Sequence, residues 1–210
     1  ARKLSVPGGD LAGVFALRTI EDCDAIRQTA ERAKHVLVLG SSFIGAEVAA
    51  SLSQMGLTVA MAFREPHLLE HLVHEDLGIR LESAYAEHGV RIEPNTVAER
   101  LEGDGRVRRA VLRSGQVLDA DLVIAGIGVE LNSELARDAG LPVGEGGGVP
   151  VDECLRTQDP SIYAVGDIAA WPDEFQDKRF RVGHWDVAWR QGFHAGRNMA
   201  GQLEPYARCA

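Results

Sequence analysis

Cysteine is scarce. Cys23, Cys154 and Cys209 are the only three among 210 residues, and no two stand at the spacing of a C-x-x-C or C-x4-C pair. That excludes a sequence-encoded zinc ribbon and offers no disulfide framework, so a reducing, cytoplasmic setting is expected. Long apolar runs are also missing. Stretches such as "LVIAGIGV" (Leu122 to Val129) are strand length, far below the roughly 20 residues that a membrane-spanning helix needs, so no membrane span is expected. Basic charge is outweighed: 22 Lys and Arg face 31 Asp and Glu, a formal charge of -9. Nucleic acid would meet net repulsion, and a small anionic cofactor would need local backbone donors instead. No signal-peptide pattern, internal repeat or low-complexity tract is present. The chain opens at Ala1 and stops at "PYARCA" without an evident closing element, which reads as an internal fragment.

With 45% hydrophobic and 25% charged residues, the composition is that of an ordinary globular protein with one or two packed cores. Thr19 in "TIED" offers a helix N-cap with an acidic residue three positions on, which predicts a helix to about Ala33. "HVLVLG" (His35 to Gly40) is a short apolar run ending in glycine and predicts a buried parallel strand. Apolar Ile44, Val48, Leu52 and Met55 recur at helical spacing, Gly56 closes that helix, and "LTVAMAF" (Leu57 to Phe63) is the next strand. A strand, helix and strand of this kind cross over right-handed. A helix over Glu75 to Gly89 carries Leu77, Leu81 and Tyr85 on one side, followed by the strand "VRIE". From Val97 to Gly128 the pattern changes to short strands turned at Asp104-Gly105 and Ser114-Gly115, an antiparallel meander. A short helix near Ser133 to Ala139 precedes "GEGGGVPVDE", read as a linker. "SIYAVGDIAA" then restarts with a strand ending in Gly-Asp, and a final helix runs from about His184 to Met199.

"VLVLGSSFIGAEVAASL" (Val36 to Leu52) carries the chemistry. Its glycines approach the pattern G-x-G-x-x-G, in which the first glycine makes a tight turn, the second admits a pyrophosphate and the third packs helix on strand. Here Gly40, Ser42 and Gly45 hold those positions, so a serine stands in the middle. Ser42 adds a Cβ where phosphate should approach but also a donor, so binding is rearranged rather than forbidden. The bend from Leu39 through Phe43 and Ile44 is expected to present main-chain amides to paired phosphates. Glycines needed only for packing are the alternative. About 20 residues on, where an acidic residue would bind the adenosine ribose, Phe63 stands, followed by Arg64 and Glu65. Arg64 suits a 2′-phosphate and Glu65 a free ribose, leaving NADPH and NADH both open; a solvated charge pair is the plainer reading. His67, His71 and His74 have helical spacing in a polar stretch without a partner pattern, and a solvated face is favoured over a metal site.

Five stretches together resemble the FAD-dependent pyridine nucleotide oxidoreductases, in the branch of the apoptosis-inducing factors and the ferredoxin reductases. They are "PGGDLAGVFALRTIEDCDAI", "VLGSSFIGAEVAASL", "GQVLDADLVIAGIGV", "VDECLRTQDPSIYAVGDIAAWPD" and "RVGHWDVAWRQGFHAGRNMAG". The "SSFIG" and "GDIAAWPD" wording is most similar to members that carry or serve a Rieske iron–sulfur domain. The resemblance implies an α/β, Rossmann-like nucleotide-binding domain, a parallel sheet plus an antiparallel meander, flanked by parts of a second, FAD-binding domain. Residues 1–33 and 151–210 would be the flanking FAD pieces and residues 34–150 the NAD(P)H domain. Asp167 would hold a flavin ribitol hydroxyl, with Gly166 leaving room, against a helix-capping role as the local alternative. Trp185 would lie near the flavin pyrimidine edge, where a core aromatic is the alternative; Gly183 departs from the family's usual Glu. Glu47 would orient the carboxamide near the nicotinamide and flavin rings, the alternative being a first-turn Glu favoured by the helix dipole. Gly126 and Gly128 would pass close to the bound dinucleotide.

The activity so implied is hydride transfer from NAD(P)H to FAD, then single electrons to an iron–sulfur acceptor, a ferredoxin or Rieske protein or domain. No acid, base or nucleophile is demanded, and no dithiol accompanies the nucleotide domain. A homodimer is compatible with the sequence, which leaves the oligomeric state open. The rival is an NAD(H)-binding interaction module with little redox turnover. By itself the 210-residue chain is expected to bind nicotinamide dinucleotide weakly and to retain little FAD.

Overall fold

The computed structural model describes residues 1–172 and 178–206; Cys209 and Asp173 of the quoted stretches lie outside the described residues. The chain forms two compact units, Ala1–Val129 and Glu130–Ala210. The boundary precedes "GEGGG", and the partition at 33/34 and 150/151 does not coincide with these units. Residues 144–148 form no linker: Gly144 N–H donates to the Gly148 carbonyl (2.8 Å), closing a short helical turn inside the second unit.

In the first unit the chain runs β1 (Val14–Phe15), α1 (Ile20–Ala30), β2 (His35–Leu39), α2 (Phe43–Gln54), β3 (Thr58–Ala62), α3 (Glu75–Glu87), β4 (Arg91–Glu93), β5 (Ala98–Gly103), β6 (Val107–Leu112), β7 (Val117–Asp119) and β8 (Leu122–Ala125). Strands β1-β8-β2-β3-β4 make a parallel sheet and β5-β6-β7 an antiparallel one. The alternation of side chains in β2 explains why all its residues are apolar after His35. Val36 and Val38 enter a cluster with Ile26, Ala49 and Leu52 from α1 and α2, while Leu37 and Leu39 enter another with Leu101, Val107 and Leu112 of the meander. Both faces are covered, so neither can be polar.

Helix α1 begins as expected, with the Thr19 hydroxyl accepting from Asp22 N–H (3.3 Å) and the Asp22 carboxylate from Thr19 N–H (2.9 Å). It ends at Ala30 rather than Ala33, and β2 is stapled to β8 from below. Asp121 Oδ2 accepts from the N–H groups of Lys34 (3.0 Å) and His35 (3.1 Å). Burial pushes the Asp121 carboxyl upward, but those two donors outweigh it and hold it below the usual carboxylate range. A lowered folded pKa means stabilisation present above that range and lost as pH falls through the folded value. Asp121→Asn is therefore expected to speed hydrogen exchange at the Lys34 and His35 amides at least about tenfold at neutral pH, an advantage that fades in acid. Equal exchange in both proteins at pH 7 would remove the staple.

The second unit contains α4 (Glu134–Asp138), β9 (Val149–Pro150), β10 (Ala169–Pro172), β11 (Arg179–Phe180) and α5 (Trp185–Met199), with the strands in the order β11-β10-β9. The expected strand over "SIYAV" is not one. Only Tyr163 bridges, to Arg156, because Thr157 and Asp159 fold the preceding residues into tight turns, with Asp159 N–H on the Thr157 hydroxyl and Ser161 N–H on Asp159 Oδ1. No helix among the described residues is long and apolar enough to cross a membrane.

Candidate nucleotide site

Strand β2 lies between β3, which follows it in the chain, and β8, which closes the unit. The carboxyl ends of β2 and β8 stand side by side, and ligands of open α/β sheets bind outside the carboxyl ends of the strands. Gly40, directly after β2, lies there with φ +112, and a Cβ on it would stand 2.2 Å from the Gly126 carbonyl oxygen at the end of β8. Only glycine permits that approach. Gly45, in the first turn of α2, backs onto the same bend: its Cβ would stand 2.4 Å from the Gly40 carbonyl oxygen. Gly40, Ser42, Phe43, Ile44, Gly45 and Gly126 are thus one constellation. Gly128, two residues further, is exposed, and its carbonyl accepts from Arg2 N–H (3.0 Å).

Ser42 is the N-cap residue of α2, yet its side chain does not cap the helix; the hydroxyl turns to the Gly126 carbonyl at 3.4 Å. The first turn carries no acidic residue either. A helix start with neither a side-chain cap nor a carboxylate leaves its positive end to an external anion. Glu47 falls beyond that first turn, so the dipole alternative for it does not stand. It is exposed, and its charge, after burial, raises the pKa of Tyr85, whose hydroxyl donates to the Ala46 carbonyl (2.9 Å).

Past β3, Phe63 is buried in the helix-side cluster and cannot meet a ribose. Arg64 is exposed. Glu65 is brought to the bend by Ser41, whose hydroxyl donates to Glu65 Oε2 (2.9 Å) while its carbonyl accepts from Leu69 N–H (3.0 Å). Ser41 was missed in the sequence; a hydroxyl next to the fingerprint's first glycine was the available signal. Residues 65–73 are not helical, so His67 and His71 share no helix face, and His74 caps α3. No group of three or more metal-ligating side chains gathers among the described residues.

The remaining candidates belong to the second unit. Gly166 has φ +71 and opens a short helical turn with Asp167, whose side chain is exposed. A Cβ at Gly183 would meet Asp167 Oδ2 at 3.8 Å, an ordinary contact, so a larger side chain there would adjoin the same carboxylate. Trp185 is 76% exposed at the first position of α5 and so is not core. Trp189 and Phe193 continue its stripe, their rings stacked at 6.3 Å. Cys154 is buried and burial raises its thiol pKa, which makes it a poor nucleophile; Cys23 and Cys154 are both free.

A glycine bend after a central strand of a parallel sheet, carried on a mixed α/β chain, defines a fold of Rossmann type. The chain belongs to the pyridine nucleotide-disulphide oxidoreductase family, which it matches over residues 1–192. It is 36% identical over 189 residues to monodehydroascorbate reductase 5 of Oryza sativa subsp. japonica, covering 89% of this chain and 38% of that protein. It is 36% identical over 172 residues to the ferredoxin–NAD(+) reductase component of the biphenyl dioxygenase system of Paraburkholderia xenovorans, covering 82% and 42%. The crystal structure of a ferredoxin reductase from Rhodopseudomonas palustris superposes with a TM-score of 0.91 at 33% identity, over 98% of this chain and 50% of that one. The chain thus spans about two fifths of the length of these curated relatives.

Proposed function

We propose that the protein to which this chain belongs is an NAD(P)H-dependent FAD oxidoreductase that delivers electrons to an iron–sulfur acceptor, and that it prefers NADH. The observation that carries this is the cradle at the end of β2: Gly40 and Gly45 hold three backbone segments closer than any side chain allows, with Gly126 in tight contact, under a helix start with neither side-chain cap nor first-turn acid. A pyrophosphate fits that arrangement, and the amides from Ser42 to Gly45 would hold it, with the Ser42 hydroxyl beside them. Glu65 would accept from the hydroxyls of a free adenosine ribose and repel a 2′-phosphate, whereas Arg64 has no comparable tie to the bend. Glu47 would orient the carboxamide, and Gly126 and Gly128 would border the dinucleotide.

Asp167 would accept from a ribitol hydroxyl, and Trp185 would lie against the flavin. A flavin held there would supply the chemistry of two-electron uptake and one-electron release. The chain's own part is to bind, orient and exclude water; no side chain needs to exchange a proton with the substrate. Residues 34–129 would form the nicotinamide domain, and residues 130–206 would belong to the flavin domain, with the opening segment, expected as flavin-domain chain, serving as the edge of the nicotinamide sheet through β1.

The iron–sulfur acceptor rests on the names of the P. xenovorans and R. palustris proteins; the name of the rice relative favours monodehydroascorbate instead. Anaerobic titration of the full-length protein with each nicotinamide nucleotide tests the reading. NADH is expected to bleach the flavin bands at stoichiometric amounts and NADPH only in large excess, and turnover with a ferredoxin, against monodehydroascorbate, then identifies the acceptor. Bound NADH without bleaching would leave an NAD(H)-binding interaction module instead.

A further inference from the structure

Helix α5 shows the second unit's core a face of four residues, Val187, Gln191, Ala195 and Asn198. Two are amides, and their situations differ. Asn198 is satisfied: Nδ2 donates to the carbonyls of Cys154 and Glu204 (3.0 Å each), and Oδ1 accepts from Glu204 N–H (2.9 Å). Gln191 is 0% exposed, and its Oε1 accepts from Gly166 N–H at 2.7 Å, but Nε2 has no acceptor among the described residues.

A buried amide that pairs only one end is a poor contributor to stability; a Leu of similar volume would serve an apolar cluster better. What Gln191 does is local to one turn. The left-handed backbone of Gly166 rests on the same helix, where a Cβ would meet the Ala188 methyl at 3.2 Å, and Arg181 Nη1 donates to the Asp167 carbonyl (3.0 Å) from the other side. The backbone of Gly166 and Asp167 is therefore clamped on two sides while the Asp167 carboxylate is left exposed.

We propose that Gln191 is a positioning residue for the flavin: by gripping the Gly166 amide it fixes the turn that presents the Asp167 carboxylate. The inference rests on the flavin reading of Asp167. It does not make Gln191 a ligand; the side chain acts through the turn, at the expense of an unpaired buried donor.

In the full-length flavoprotein, Gln191→Leu is expected to weaken FAD binding about tenfold, the effect of one lost backbone hydrogen bond, and to alter the visible circular dichroism of the flavin. The KM for NADH stays within twofold, and the melting temperature of the FAD-free protein falls by no more than about 5 °C, because the Gly166 N–H left without its acceptor takes the place of the unpaired Nε2 and one hydrogen bond is lost. Gln191→Glu keeps an acceptor for Gly166 and is expected to restore FAD affinity to within about threefold. Unchanged FAD affinity in Gln191→Leu overturns the proposal. So does a drop in apoprotein melting temperature beyond that limit, which would make the role structural. Asp167→Ala separates the two layers: if it leaves FAD affinity intact, the flavin reading fails, whereas if it weakens FAD while Gln191→Leu does not, only the role of Gln191 falls.

Discussion

Gly45→Ala is expected to cost the protein at least about a hundredfold in NADH affinity. The added methyl would stand 2.4 Å from the Gly40 carbonyl oxygen, so α2 must withdraw from the bend by about the missing ångström. Both partners are backbone, and neither can rotate away. Overpacking of this kind costs about 1–3 kcal/mol of stability. The larger effect falls on binding, because the amides of the first turn are displaced from the phosphates. Losing two charge-assisted hydrogen bonds, at about 1.5–3 kcal/mol each, accounts for a hundredfold or more. Fluorescence titration with NADH, with flavin content measured in the same sample, is the check. A dissociation constant within threefold of the parent protein's would show that the phosphates are held elsewhere. Ser42→Gly makes the informative control: the 3.4 Å contact to Gly126 is weak, so completing the three-glycine pattern should change affinity by less than about threefold.

For Glu65→Gln the expected result is a reversal of preference rather than a general loss. The carboxylate is held at the bend by the Ser41 hydroxyl, and its removal weakens a charge-assisted contact with the ribose and lifts the repulsion against a 2′-phosphate. kcat/KM for NADH should fall about tenfold to a hundredfold while that for NADPH holds or rises. Arg64→Ala, by contrast, should leave NADH kinetics unchanged. If Glu65→Gln lowers both nucleotides equally, Glu65 supports the bend alone and does not read the ribose.

Much of this was legible along the chain. The Thr19 capping box, the β2 run, α2 with Gly56 behind it and the two meander turns at Gly105 and Gly115 all stand where the local pattern puts them. Each is decided by residues within about four positions of one another, the range over which helix periodicity and turn chemistry act. The misses have a common cause. "SIYAV" has the composition of a strand, but a strand needs a neighbour along its length, and here only Tyr163 finds one. The glycines of 144–148 read as a linker because nothing in the sequence shows that Gly144 and Gly148 close on each other.

At the candidate site the division is sharper. The spacing of Gly40, Ser42 and Gly45, with a strand before and a helix after, is a property of consecutive residues, and the sequence by itself determined it; that Glu47 falls outside the first turn of α2 was decided only by where the helix starts. Only the tertiary structure could decide that Gly126 stands against Gly40, that Glu65 rather than Arg64 is tied to the bend through Ser41, and that Gln191 reaches the Gly166 amide. Those contacts join residues 24 or more positions apart, Ser42 and Gly126 being separated by 84. They exist because β8 inserts beside β2 and because α5 lays one face on the Gly166 turn, choices made by burial of whole strands and helix faces and not by any residue's near neighbours.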